Sequence, residues 1–448
     1  MTRARLGAIA TLSVIATAFV LLDGARTSPS HAALEAALRH GVLVHAALPA
    51  RATSDSGVPQ RPAVAPTPVS HAAPAPTAPP SPATPSPPSG PSATTHASSP
   101  HARATPHAVA VPKPSKVKHV FVIALTGAGA QAAFGATSPA HYLATELKRR
   151  GTLLSGFRPV DGASDLPNYL AMTGGQPPNP DTRGECATFS DFPPDAATGS
   201  DGVVKGAGCL YPNTVLSIGD QLTASRHTWR AYAEDLGSGS GGVQSCRHPH
   251  PGEADDTLKA RAGDQYATRH NPFVYFHSLL DLGDCMANDV ALDRLSGDLR
   301  SVSTTPDYAF LAPNLCDSGT ETPCVDGRPG GLASADAFLH EWVPRILGSP
   351  AYRRDGLLVI TFPSSAPAPG TGTPATPAAT TGPAAASPAP TGTLLLSRFA
   401  RAGTTVAGPY DPYSVLRSVE DLFGLKPLAR ANHASSFVKA ALPGAVGG

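Results

Sequence analysis

A chain of 448 residues with 34 Lys and Arg against 33 Asp and Glu is nearly neutral, and its longest basic run is the Lys148-Arg149-Arg150 triplet. That balance gives no sign of a polyanion-binding stripe, and nucleic acid is not an expected partner. The 49 prolines and 43 glycines are unevenly spread, so length overstates the folded part.

Arg3 and Arg5 precede an apolar run at residues 6–22, and Ser30-His31-Ala32 offers a small-x-small cleavage signal. Residues 1–32 read as an export signal, with a run nearly long enough to serve instead as an uncleaved membrane anchor. A secreted or cell-envelope, extracytoplasmic protein is expected. Residues 33–115 are mostly Pro, Ala, Ser, Thr and His, too poor in large apolar side chains to offset chain entropy, and read as a disordered stalk. Cys186, Cys209, Cys246, Cys285, Cys316 and Cys324 all follow the signal. An even number in an exported chain favours three disulfides, and none has the CxxC spacing of a zinc site. The pairing stays open, with neighbours in sequence the first choice (186 with 209, 246 with 285, 316 with 324).

Folded sequence begins near Lys116. KHVFVIAL reads as a strand, HYLATELKRRG as a helix, TLLSGFRPV as a strand and NYLAMTGG as a helix. LSIGDQLTASRHTWRAYAEDL continues as helix then strand, DYAFLAPNL as a strand and SADAFLHEWVPRILGSPAY as a helix. DGLLVITF and GTLLLSRFA are strands, and DPYSVLRSVEDLFGL is the last helix. This alternation predicts one α/β domain over residues 116–440 with a mostly parallel sheet. The unbroken apolar run of DGLLVITF predicts a strand covered on both faces. Residues 363–392 form a second low-complexity tract, an insert within that domain.

Gly127-Ala128-Gly129-Ala130-Gln131-Ala132 fits GxGxxA after a strand. Gly135 and Pro139 interrupt the helix such a loop requires, and no acidic residue follows at the right distance, so these residues read as a flexible glycine loop. There is no GxSxG elbow, His340-Glu341 lacks the second histidine of HExxH, and His248-Pro249-His250 reads as a surface turn.

HVFVI, LPNYLAMTGG, GDQLTASRHTWRAYAEDL, RHNPFVYF, APNLCDSGTETPC, VDGRPGGLASADAFLHEWVPRILGSPAYR, DGLLVITF and PYDPYSVLRSVEDLFGL together resemble the bacterial secreted phosphoesterase family, which includes acid phosphatases and phospholipases C. The resemblance covers nearly all of residues 116–428. It implies an alkaline-phosphatase-like fold, a central mostly parallel sheet with helices on both faces, and metal-assisted phosphate ester hydrolysis at the strand ends. Family members place Glu-Asn after the first strand, where this chain has Thr126 and Gly127. The family's HPSL, carrying a histidine and the hydroxyl nucleophile, corresponds to Ala163-Ser164-Asp165-Leu166, which puts Asp165 at the nucleophile position beside Ser164. HDGHDAP between the close cysteines corresponds to Asp317, Ser318, Gly319, Thr320, Glu321, Thr322 and Pro323. The Asp-Glu pair after DGLLVITF corresponds to Pro363-Ser364, and the histidine of NHYS to Pro412 beside Asp411. His270 alone is kept among the site histidines.

Without these carboxylates no cation neutralises a phosphoryl group or activates a nucleophile. The expectation is a pseudoenzyme with no cofactor and a degenerate centre at Asp165, Ser164 and His270. Asp165 itself reads as a loop cap, without basic neighbours, and Asp317 with Glu321 as a solvated disulfide loop. Three competitors remain: a working hydrolase with a rearranged site using Asp165, Asp317, Glu321 and His270, a structural envelope protein, and a binder of a phosphorylated small molecule, lipid or envelope component. In the binder Arg158, Arg269 and Lys205 would touch phosphate. A membrane enters these expectations only through an N-terminal anchor.

Overall fold

Strand β1 (His119–Ala124) is buried along its whole length, as its unbroken apolar sequence requires of a central strand covered on both sides. Alternate residues serve the two faces. Val120, Val122 and Ala124 join one hydrophobic core, and Phe121, Ile123 and Leu125 the other. The computed structural model describes residues 115–239, 244–364 and 388–445. The export signal, the stalk up to residue 114 and the middle of the insert lie outside the described residues.

In chain order the other strands are β2 (Thr152–Leu154), β3 (Trp229–Ala233), β4 (Asp289–Ala291), β5 (Tyr308–Ala312), β6 (Gly356–Thr361), β7 (Thr393–Ser397) and β8 (Thr404–Val406). They form one sheet of order β4-β3-β5-β1-β6-β7-β2-β8. Every pair is parallel except the two made by β7, so the sheet is mixed and mostly parallel. The first core lies under α1 (Leu166–Gly174), α2 (Ile218–Ala224) and α4 (Pro412–Phe423), and the second under α3 (Gly331–Gly348) and the helical turns of Tyr142–Leu147. This is a central, mostly parallel sheet with helices on both faces, as the sequence resemblance implied.

Two local features differ from expectation. A short helix, Ala130–Phe134, follows the glycines after β1, where an irregular flexible loop was expected. Its first amide, Ala130 N, donates to Pro390 O at 2.8 Å, so the far end of the insert docks against it. The edge strands β4 and β8 were not anticipated; each has three residues, too few for a period-2 pattern to register. Disulfides join Cys186 to Cys209, Cys246 to Cys285 and Cys316 to Cys324.

Candidate active site

In a mostly parallel α/β sheet the loops leaving the carboxyl ends of the strands converge on one edge. Here those loops carry Thr126 after β1, residues 314–324 after β5 and Ser364 after β6. The Cys316–Cys324 loop folds back over the tip of β1, where Thr126 N donates to Ser318 O at 2.8 Å. The approach is close enough that a Cβ on Gly319 would stand 2.9 Å from Thr126 O, and Gly319 has φ +99, a conformation that suits only glycine. Thr126 Oγ1 is hydrogen bonded to Thr320 Oγ1, which also meets Ser318 Oγ at 3.0 Å, and Ser318 Oγ donates to Leu315 O at 3.2 Å. All three hydroxyls are buried.

These residues do not fit a hard divalent cation, which takes six or more oxygen ligands including carboxylates. The hydroxyls are engaged with one another, Gly127 has no side chain, and Pro363 offers no ligand atom. Among the described residues, two groups bring three His, Cys, Asp or Glu donor atoms within 4.8 Å of one another, Cys246, Cys285 and Asp289, and Cys316, Cys324 and Asp326. In both, the two sulfurs are already bonded to each other.

The loop-cap reading of Asp165 does not hold. Its side chain makes no capping bond to α1. Glu185 takes that place, accepting from Asp165 N at 2.6 Å and Leu166 N at 2.9 Å. The Asp165 carboxylate, 4 % exposed, turns inward instead. Its Oδ1 accepts from the Ser364 hydroxyl, and its Oδ2 lies 3.4 Å from His270 Nε2 and 3.6 Å from Arg269 Nε. The expected absence of basic neighbours is thereby corrected. Burial alone would raise the Asp165 carboxyl, but the bond to His270, the charges of His270 and Arg269, and the Ser364 hydroxyl outweigh it and hold it below its ordinary value. Burial also lowers the His270 imidazole, against the bond to Asp165. Both ring nitrogens face acceptors, since Nδ1 lies 3.2 Å from Pro313 O. The ring stacks on Tyr169 with centroids 5.4 Å apart. Tyr169 in turn donates to Ala124 O at 3.2 Å, locking α1 to the end of β1.

The other sequence candidates are placed elsewhere. Ser164 donates its hydroxyl to Arg183 O at 2.7 Å, outside the Asp165 cluster. Asp317 is buried rather than solvated, with Oδ1 on the Arg328 guanidinium. Burial pushes its carboxyl up while Arg328 opposes. Glu321 joins none of the three-donor groups, and burial raises it while the Arg269 charge opposes. Asp411 is a helix cap, its Oδ1 accepting from Ser414 N at 2.8 Å while Asp411 N donates to Ser414 Oγ at 3.2 Å. Pro412 fills the first position of α4, where its missing N–H costs nothing. Arg269, expected as a surface phosphate contact, is 3 % exposed and donates to Leu258 O at 3.0 Å. Arg158 and Lys205 are exposed, and Arg158 donates to Pro388 O at 2.6 Å. His248 packs on the Phe189 ring at 5.4 Å and His340 against Tyr142 at 4.8 Å.

Sequence reasoning missed Glu185, Glu234 and Arg328. Burial and the Asp165 charge push Glu185 to about 8. Glu234, directly after β3, is pushed to about 8 by burial and by Asp317. Nothing in the local sequence marks Glu185, whose backbone takes a left-handed turn, φ 55, beside the Cys186 disulfide.

The sheet and its strand-end loops define an α/β protein whose cluster at the strand ends holds buried hydroxyls and one tethered carboxylate, Asp165. The family model described as "Phosphoesterase family" matches residues 137–426, well over half of the chain, and the protein belongs to that family. It is 24% identical over 218 residues to a phosphate-repressible acid phosphatase of Penicillium chrysogenum, covering 49% of this chain and 42% of that one. It is 23% identical over 216 residues to a probable acid phosphatase of Kluyveromyces lactis, covering 48% and 41%. The chain thus spans about two fifths of the length of these curated relatives. Among solved structures, a protein of the alkaline phosphatase superfamily from Vibrio parahaemolyticus aligns with a TM-score of 0.39 at 13% identity, covering 71% of this chain and 70% of the other. A putative sulfatase from Bacteroides thetaiotaomicron aligns with a TM-score of 0.41 at 11% identity, covering 73% and 75%.

Proposed function

We propose that this member of the phosphoesterase family is an extracytoplasmic protein that does not hydrolyse phosphate esters by a metal-assisted route, its relic site being closed by its own Asp165. The observation that carries this reading is the Asp165 carboxylate lodged among Arg269, His270 and Ser364. Hydrolysis needs a nucleophile with open access to phosphorus and preorganised positive charge for the phosphoryl oxygens. In this protein the cationic side chains face an internal anion, and the residue at the nucleophile position is that anion. A phosphorylated ligand entering the same place would have to displace Asp165 from a buried ion pair. An oxidising compartment is supported by three disulfides with no free cysteine among the described residues.

The test is turnover of p-nitrophenyl phosphate by the purified protein, alone and with added zinc, manganese, magnesium or calcium. No turnover above the buffer rate is expected with any of them. Metal-dependent turnover that a chelator abolishes would overturn the proposal.

A further inference from the structure

The linear sequence shows no basic run longer than three residues, but the sheet assembles one at the edge opposite the relic site. Strands β1, β6, β7 and β2 are consecutive neighbours, and their registers place His119 beside Gly356, Leu357 beside Ser397 and Thr152 beside Leu395. The starts of β1, β6 and β2 and the end of the reversed strand β7 therefore share one edge, a row about 15 Å long at the usual strand spacing. Each contributes cations. Lys116 and Lys118 precede β1, Arg353 and Arg354 precede β6, Arg149 and Arg150 precede β2, and Arg398 and Arg401 follow β7.

All eight are exposed, and their segments are tied to one another. Lys118 N donates to Asp355 O at 3.1 Å, Arg398 Nη1 to Arg354 O at 3.2 Å, and Gly403 N to Gly151 O at 2.8 Å. Arg354 pairs with Asp355 at 2.8 Å, and that carboxylate also holds His119. The other seven cations form no ion pair with a carboxylate among the described residues. Two further acidic groups flank the row: Glu146, one turn before Arg150, and Asp307, which precedes β5 beside the start of β1 and pairs with His227 at 3.2 Å. The polypeptide enters the domain through this same edge at Lys116, and upstream in the chain lies the apolar run at residues 6–22.

We infer that this edge docks the domain on an anionic phospholipid surface, the basic row meeting the headgroup phosphates. The inference rests on the placement of the row and on the chain entering there, and is independent of whether the relic site turns over esters. Each cation brought to an anionic bilayer strengthens binding on the order of five-fold, so removing four is expected to weaken it a hundred-fold or more.

The full-length protein is tested by co-sedimentation with phosphatidylcholine vesicles, with and without phosphatidylglycerol, at low and high salt. It is compared with a variant carrying Arg149→Gln, Arg150→Gln, Arg398→Gln and Arg401→Gln, whose unchanged thermal midpoint certifies its fold. Salt-sensitive binding to the anionic vesicles alone, lost in the variant, is the expected result. Equal binding of parent and variant, or equal binding to neutral vesicles, overturns the inference and assigns any association to the apolar run. Release of the parent from vesicles by soluble poly(glycerol phosphate) at matched phosphate concentration overturns it in favour of an envelope polymer.

Discussion

Replacing Asp165 by Ala removes the one carboxylate that faces Arg269, His270 and Ser364 together. Removing one partner of a buried pair costs about 3–5 kcal/mol, because the other charge is left without compensation. The lower end applies here: Glu185 lies close enough for Asp165 to raise it, and without Asp165 it ionises more readily and recovers part of the balance for Arg269. About 3 kcal/mol corresponds to a fall in thermal midpoint of roughly 5 °C for a domain of this size. The variant leaves a space beside Arg269 and His270 in which a small oxyanion is expected to bind. Inorganic phosphate at about 100 times its dissociation constant would return about 2.7 kcal/mol. The assay is thermal unfolding of parent, Asp165→Ala and Asp165→Asn across a phosphate series, with chloride matching ionic strength. Asp165→Asn keeps the shape and loses the charge, separating electrostatics from cavity formation. Phosphate stabilises Asp165→Ala and leaves unmoved the parent and Asp165→Asn, whose amide still fills the space. A variant melting with the parent, or phosphate raising all three midpoints equally, would refute the tethered-anion reading.

The pH profile offers a second check. Burial raises Glu420 to about 8, so between its ordinary value and that one the folded state holds a proton that the unfolded chain has released. Its contribution is complete below about 4.5 and is lost as pH rises to about 8, at a slope of up to about 1.4 kcal/mol per pH unit. Glu185 and Glu234, also pushed to about 8, and Asp289, pushed to about 7, act in the same direction. Chemical denaturation across this range should therefore show highest stability on the mildly acidic side, and Glu420→Gln, which keeps an acceptor for Leu428 N, flattens the decline by about 1 kcal/mol per pH unit; an unchanged slope argues against a protonated Glu420. Asp411→Ala removes the cap of α4 and lowers stability by about 0.5–2 kcal/mol without creating or removing turnover; a change in turnover would return Asp411 to the site. Thr126→Val strips one hydroxyl from the chain to Thr320, which keeps Ser318 as partner, so a loss of about 1 kcal/mol is expected in the same unfolding assay, against no loss if the contact is incidental.

The scaffold was legible because its strongest signals are local. β1 and β6 are uninterrupted apolar runs, and α4 opens on Asp411, Pro412 and Ser414, a start signal that needs no tertiary knowledge. That Asp165, His270 and Ser364, and likewise Thr126, Ser318 and Thr320, come together was anticipated through the order of motifs along the chain, but not what these residues do there. Asp165 precedes Leu166-Pro167, a sequence that reads as a cap, and the prediction failed because Glu185 reached those amides first. Glu185 is 20 residues away in sequence, held by a left-handed turn beside a disulfide. The partners Asp165 gains instead lie 105 and 199 residues away, separations at which no periodicity or spacing carries information. The basic edge was hidden for the same reason, its cations being scattered over four segments that only the sheet order brings together.

A site that had merely lost its ligands would leave buried polar atoms without partners, since removing one member of a hydrogen-bonded set strands the rest at a cost of about 1–3 kcal/mol each. Buried side-chain atoms without partners do occur among the described residues, at Tyr211, Tyr275, Asp289 and Glu420 among others. None of them belongs to Thr126, Ser318, Thr320, Asp165, His270 or Ser364. The hydroxyls and the carboxylate of this cluster are therefore mutually satisfied: Ser364 is matched to Asp165, and Thr126 to Thr320. Restoring one carboxylate at a time, as in Thr126→Glu, would cost Thr320 one of its two hydroxyl partners and bury a charge with no cation to meet it. Building a metal site here would thus require several concerted changes, each unfavourable until the others were made.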